Sequence, residues 1–138
     1  MSNDIDTDEL YQLTIGIADY CYEVGSTLPE DEKYPVHFGL KMSAFEMTNT
    51  VAEAYGSTDP RDRLWKLGQA KRALFSAQNI LQQSHKRGLV EINPEIMITI
   101  KRAIELVSKQ LRAAQDNIGG YLATLDPDTY KSTNGIKT

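Results

Sequence analysis

Apolar residues recur every three or four positions along most of the chain, which is the spacing of helices that bury one face. No stretch shows the strict alternation of apolar and polar residues that is typical of a strand. The first apolar stripe predicts a helix from about Asp8 to about Ser26, and the second predicts one from about Pro35 to about Tyr55. The two stripes consist of Leu10, Leu13, Ile17, Tyr20, Val24 and Leu28, and of Leu40, Ala44, Met47, Val51 and Ala54.

The third and fourth helices have clear start signals. Asp59 and Asn93 can each cap the free backbone N–H groups of a first turn, and each precedes a proline, which suits the first helical position. The third helix is predicted to continue until Gly88, because glycine tolerates the backbone conformation in which helices often end. The fourth is predicted to run to about Tyr121, with its end weakened by Gly119–Gly120.

The connections between these helices are short, and short connections place consecutive helices antiparallel. We therefore predict an all-α fold, an antiparallel up-down-up-down four-helix bundle over residues 8–122. Residues 1–7 are expected to form a flexible N-terminus, and residues 123–138 a flexible polar tail.

The first three helices carry a second apolar stripe, which is more than one bundle needs. A helix that is apolar on more than one face is usually buried on more than one face. One interpretation is that the extra aromatic residues close a wide core. The other is a subunit interface, where Tyr, Trp, Phe and Met are enriched. The candidate interface residues are Tyr11, Tyr22, Phe45 and Trp65.

Charge is divided unevenly along the chain. Residues 1–60 contain twelve Asp/Glu and two Lys, a net charge of −10, whereas residues 61–138 contain thirteen Lys/Arg and seven Asp/Glu, a net charge of +6. Residues 61–114 alone hold eleven Lys/Arg and four Asp/Glu, a local +7. The basic half either pairs with the acidic half or binds the phosphate backbone of a nucleic acid. The candidate nucleic-acid-binding residues are Arg63, Lys66, Arg72, Lys101, Arg102, Lys109 and Arg112.

Residue types that support catalysis or metal binding are scarce. The two histidines, His37 and His85, lack a Glu three positions earlier, so the Glu-x-x-His pairs of bundle metal sites are missing. Cys21, the single cysteine, has helical spacing to the first apolar stripe and is expected to be buried. We predict no enzymatic activity, no metal site and no cofactor. The polar, acidic N-terminus is unlike a signal peptide and no apolar run is long enough to span a bilayer, so a cytoplasmic protein without membrane association is expected.

Three short segments resemble a known family. Residues 28–34 read Leu-Pro-Glu-Asp-Glu-Lys-Tyr, residues 49–56 read Asn-Thr-Val-Ala-Glu-Ala-Tyr-Gly, and residues 88–90 read Gly-Leu-Val. Their order and separation resemble those of the four-helix bundle proteins first met as open reading frames in intervening sequences of bacterial large-subunit ribosomal RNA. That family includes the accessory variability determinant of diversity-generating retroelements. The resemblance covers about residues 8–122.

The resemblance implies a non-enzymatic, ring-like homopentamer that binds template RNA or DNA and partners a reverse transcriptase. The alternative is a structural or interaction bundle of the ribosomal intervening-sequence type, without a reverse transcriptase partner. An adjacent reverse transcriptase gene with a template/variable repeat pair would favour the first.

Overall fold

The computed structural model describes the backbone of residues 8–125 and the side chains of residues 8–31 and 35–119. Within this range the chain forms four α-helices: α1 (Glu9–Ser26), α2 (Phe38–Gly56), α3 (Pro60–Lys86) and α4 (Pro94–Leu125). A short 3₁₀ turn (Glu30–Glu32) and a π-helical turn (Lys33–His37) connect α1 to α2. The prediction of an all-α fold is confirmed. The expected flexible N-terminus, residues 1–7, lies outside the described residues. So do residues 126–138 of the expected tail, which is predicted to begin at residue 123.

Side-chain caps fix the starts of the helices. The Asp8 carboxylate accepts a hydrogen bond from the Tyr11 backbone N–H at 3.1 Å and caps α1. Asp59 accepts from the Arg61 N–H at 3.0 Å, and Asn93 accepts from the Glu95 N–H at 2.9 Å. Each cap satisfies a backbone donor that has no partner inside its helix. Both start signals read from the sequence are confirmed.

Two helix boundaries differ from expectation. α2 begins at Phe38 rather than near Pro35, because Lys33–His37 forms the wider π-helical turn. That turn buries Val36 and brings the His37 ring against Gly25 at the end of α1. α4 continues past Gly119–Gly120 to Leu125, beyond the expected end of the bundle at 122. Glycine costs only about 0.5–1 kcal/mol relative to alanine in a helix interior, which is too little to end a long helix.

The end of α3 agrees with the prediction. Gly88 has a φ of 74°, in the left-handed region, and its N–H donates to the His85 carbonyl at 2.9 Å. The Leu89 N–H donates to the Ser84 carbonyl, also at 2.9 Å. These bonds satisfy carbonyls that the helix end would leave free.

One apolar core lies among the four helices. α1 contacts α2 and α4, α2 contacts α3, and α3 contacts α4. The two predicted stripes supply Leu10, Ile17, Leu40 and Met47 to it, all fully buried. The fully buried residues of α3 and α4 include Leu67, Leu74, Leu81, Ile100 and Val107. Leu111 is only partly buried and packs against the edge of this core. No buried side-chain nitrogen or oxygen lacks a hydrogen-bond partner in the described part of the chain.

Candidate nucleic-acid interface

Two of the seven candidate cations pair with acidic residues of the first half. Lys66 Nζ lies 3.1 Å from Glu53 Oε1 and joins α3 to α2. Arg102 donates from Nε to Glu9 Oε2 at 3.2 Å and from Nη2 to Glu9 Oε1 at 3.3 Å. The two halves of opposite charge therefore meet at α2–α3 and at α1–α4. Both pairs are open to solvent, where an ion pair contributes about 0–1 kcal/mol.

A third cation, Arg63, binds backbone instead of a carboxylate. Its Nε donates to the Ala54 carbonyl at 3.2 Å and its Nη2 to the Ser57 carbonyl at 3.4 Å. Ala54 lies in the last turn of α2, whose carbonyls have no partner within the helix. The guanidinium thus closes the end of α2 and ties it to the start of α3.

The other four cations are exposed and have no ion pair or side-chain hydrogen bond to another described residue: Arg72, Lys101, Lys109 and Arg112. Lys101, Lys109 and Arg112 lie on the outer face of α4. At about 100° per residue they fall within about 80° of arc, and they span about 16 Å of helix. Glu105 shares this face and offsets part of its charge. The result is a short cationic stripe, which we call the α4 stripe (Lys101, Lys109 and Arg112).

Three of the four candidate interface residues are exposed in the single chain. The exposed fraction is 42% for Tyr22, 59% for Phe45 and 62% for Trp65. Phe38, Met42 and Phe75 are also about half exposed. These side chains do not close the core of one chain. Tyr11 differs, because it is partly buried and packs against the core.

A polar cluster that the sequence did not indicate joins three helices. Tyr55 Oη donates to Asp8 Oδ1 at 2.8 Å and lies 3.1 Å from Gln110 Oε1. Burial raises the pKa of the Tyr55 phenol above its usual value, so the hydroxyl keeps its proton. No local spacing relates residues 8, 55 and 110, which are brought together only by the packing of α1, α2 and α4.

Cys21 and His85 are side chains of types that can act in catalysis, and both lie within the described range. Burial raises the pKa of the Cys21 thiol from its ordinary value of 9.0 to about 12, which keeps it protonated at neutral pH. His85 Nδ1 lies 3.2 Å from the Val90 carbonyl, at the end of α3. Among the described residues, no three His, Cys, Asp or Glu side chains come together in a group that could hold a metal ion.

Comparisons with protein-family models and with curated proteins find no match to this chain. None of the helices in the described range is both long enough and apolar enough to cross a membrane.

Proposed function

We propose that this chain is a non-enzymatic, oligomeric accessory protein that binds nucleic acid through the phosphate backbone. The observation that carries the proposal is the α4 stripe, whose three cations are exposed and unpaired among the described residues. Lys and Arg side chains on a helix exterior neutralise phosphates without reading base sequence. The resemblance adds a reverse transcriptase of a diversity-generating retroelement as the partner and template RNA or DNA as the ligand. The proposal places this activity in the cytoplasm.

The proposal includes alternating up and down helices. Ser43 Oγ lies 3.1 Å from Ser76 Oγ, and Glu53 pairs with Lys66, so residue numbers rise along α2 as they fall along α3. For α1 and α4, Glu9 pairs with Arg102. Farther along α1, the Tyr20 hydroxyl accepts a hydrogen bond from the Asn93 N–H at 3.1 Å. These contacts support an antiparallel arrangement of both helix pairs.

The proposal also includes a homo-oligomer, which the resemblance suggests is a pentamer. Exposed Tyr22 on α1 and Phe45 on α2 support it, because large apolar side chains in contact with water favour burial against a second copy. Light scattering at micromolar concentration should give a multiple of the 15.5 kDa chain mass. A monomer mass would remove this part of the proposal.

Salt dependence tests the binding. Each phosphate neutralised contributes about 0.7–0.9 to the slope of log affinity against log salt. Lys101→Gln, Lys109→Gln and Arg112→Gln should each lower the slope for template-length RNA by about that amount, and the triple variant by about 2–3. Lys41→Gln, at an exposed cation of α2, is the matched control and should leave the slope unchanged.

The same triple variant separates the two interpretations of the charge. If the α4 stripe binds phosphate, the triple variant loses RNA affinity while its oligomer mass and urea midpoint stay those of the wild type. If the stripe instead pairs with acidic residues of another copy, the oligomer weakens. An intact oligomer with wild-type RNA affinity at low salt would exclude the α4 stripe from binding.

A further inference from the structure

The outer face of α3 combines cations with exposed aromatic rings. α3 contains six Lys/Arg and one acidic residue, Asp62, a net charge of +5 with His85 neutral. Asp62 lies in the first turn and is partly buried. Within about 80° of arc the helix presents one continuous surface. This surface, called here the α3 face, consists of Arg61, Trp65, Gly68, Arg72, Phe75, Asn79, Gln83 and Lys86.

The α3 face carries two aromatic rings that are exposed to solvent. Trp65 is 62% exposed and Phe75 is 48% exposed. Ten residues separate them, or about 15 Å along the helix axis, and Arg72 lies between them. A Cβ at Gly68, one turn after Trp65, would meet no atom within 4 Å, so the surface beside the indole is free of side-chain bulk.

The charges indicate the kind of molecule that covers these rings. Arg61, Arg72 and Lys86 have no ion-pair partner among the described residues, whereas Lys66, on the side facing α2, is already paired with Glu53. An apolar protein surface laid on the α3 face would bury these three cations without counter-charge, which is costly. A polyanion that carries flat apolar groups would supply counter-charge to the cations and would stack on the two rings.

We propose that the α3 face binds single-stranded nucleic acid, with bases stacked on Trp65 and Phe75 and phosphates beside Arg61, Arg72 and Lys86. Stacking platforms with a cationic track are the usual device for binding single strands without sequence preference. A duplex cannot stack its bases on Trp65 and Phe75 in this way, because its bases are already stacked on one another. The inference rests on the proposed nucleic-acid binding and assigns Trp65 to the ligand rather than to a subunit interface.

Dimensions set the length of the bound segment. From Arg61 to Lys86 the helix extends about 37 Å, which corresponds to at most about eleven nucleotides, because 3.4 Å per nucleotide is the spacing of a fully stacked strand and an unstacked strand is longer per nucleotide. The rings are at most about four nucleotides apart by the same measure. An oligothymidylate of about 12 nucleotides should therefore bind more tightly than one of about 4.

Trp65 provides the assay, because it is the only tryptophan in the chain. Adding single-stranded oligothymidylate to the wild-type protein should quench its emission, while a duplex of equal length should leave it nearly unchanged. Trp65→Ala and Phe75→Ala should each lower affinity about tenfold, and Trp65→Phe, which keeps a ring, should lose little. Ile98→Ala on α4 is the matched control, since Ile98 is 67% exposed and belongs neither to the α3 face nor to the candidate interface residues.

The outcomes separate this inference from the proposed function. If Trp65→Ala and Phe75→Ala bind oligothymidylate like Ile98→Ala, while Lys101→Gln still lowers the salt slope, the α3 face is excluded and binding through α4 stands. If the free protein has blue-shifted emission shielded from acrylamide, another copy covers Trp65 and the inference is overturned. If the wild type binds neither RNA nor oligothymidylate, both proposals fail.

Discussion

Gly25 offers a direct test of the contact between α1 and the π-helical turn. It is buried in the last turn of α1, and a Cβ built there would lie 2.7 Å from Nε2 and 2.9 Å from Cγ of His37. Real Cβ contacts are essentially never this short, so either the imidazole or the backbone has to move. The ring can avoid a methyl group at Gly25 only by rotating out of its present position, which gives up its packing against α1. Gly25→Ala should therefore push the end of α1 and the π-helical turn apart.

Two opposing terms determine the size of the effect. Replacing glycine by alanine in a helix interior stabilises the fold by about 0.5–1 kcal/mol, because the unfolded chain loses freedom and the helix gains propensity. Forcing a side-chain atom into occupied space costs about 1–3 kcal/mol. The steric term is larger, and we expect Gly25→Ala to lower the free energy of unfolding by about 1 kcal/mol.

The chain contains its own controls. A Cβ at Gly16 in α1 or at Gly68 in α3 would meet no atom within 4 Å. Alanine at either position should raise the free energy of unfolding by about 0.5–1 kcal/mol. Urea unfolding followed by circular dichroism at one protein concentration measures all three variants, since an oligomer's stability depends on concentration.

A double variant isolates the contact. His37→Ala removes the ring, so Gly25→Ala made in that background should become neutral or stabilising. The coupling between the two substitutions should be about 1–2 kcal/mol, which exceeds the usual error of additivity. If Gly25→Ala is as stable as Gly16→Ala, or if His37→Ala leaves its cost unchanged, the close approach of Gly25 and His37 is refuted.

Three further predictions concern the core. Leu74→Ala should lower the free energy of unfolding by about 2–5 kcal/mol, because Leu74 is fully buried. Leu111→Ala should lower it by less, because Leu111 is only partly buried. Equal losses for the two variants in urea unfolding would contradict this difference. Because burial raises the pKa of Cys21 to about 12, Ellman's reagent should label the folded protein only as fast as it opens. The folded state also binds the Cys21 thiol proton more tightly than the unfolded state, so the free energy of unfolding should fall by at most about 1.4 kcal/mol per pH unit from pH 9 upward. The difference in stability between wild type and Cys21→Ala should show that slope. Parallel pH profiles for the two proteins would contradict it.

Local signals in the sequence were enough to predict most helix boundaries. The pairs Asp59–Pro60 and Asn93–Pro94 act within one turn, so their effect does not depend on the rest of the fold. The π-helical turn at Lys33–His37 could not be predicted in this way, because it is associated with a tertiary contact between His37 and Gly25. The partial burial of Leu111 could not be predicted for a similar reason, since apolar periodicity does not say where a neighbouring helix stops covering the apolar face of α4.

Periodicity also placed the cations on helix exteriors but could not say which ones are paired. Pairing depends on the register between helices, and register is set by core packing rather than by the charges. Lys66 lies opposite Glu53 and Arg102 opposite Glu9, although 13 positions separate the first pair in sequence and 93 the second. Apolar periodicity does not distinguish Lys66 from Lys109, but of these two the structure pairs Lys66 with a carboxylate and leaves Lys109 without one among the described residues.

This difference decides which substitutions can report on binding. Arg63 closes the end of α2, so replacing it disturbs the connection to α3 and changes stability together with any effect on nucleic acid. Lys66 and Arg102 are paired in solvent-exposed positions, where a phosphate can compete with the carboxylate at a cost of about 0–1 kcal/mol. Lys101, Lys109 and Arg112 have no such competitor in the described residues. Their removal changes the electrostatic attraction without removing an ion pair or a side-chain hydrogen bond of the described fold, and their effect on the salt slope can be interpreted as loss of phosphate contacts.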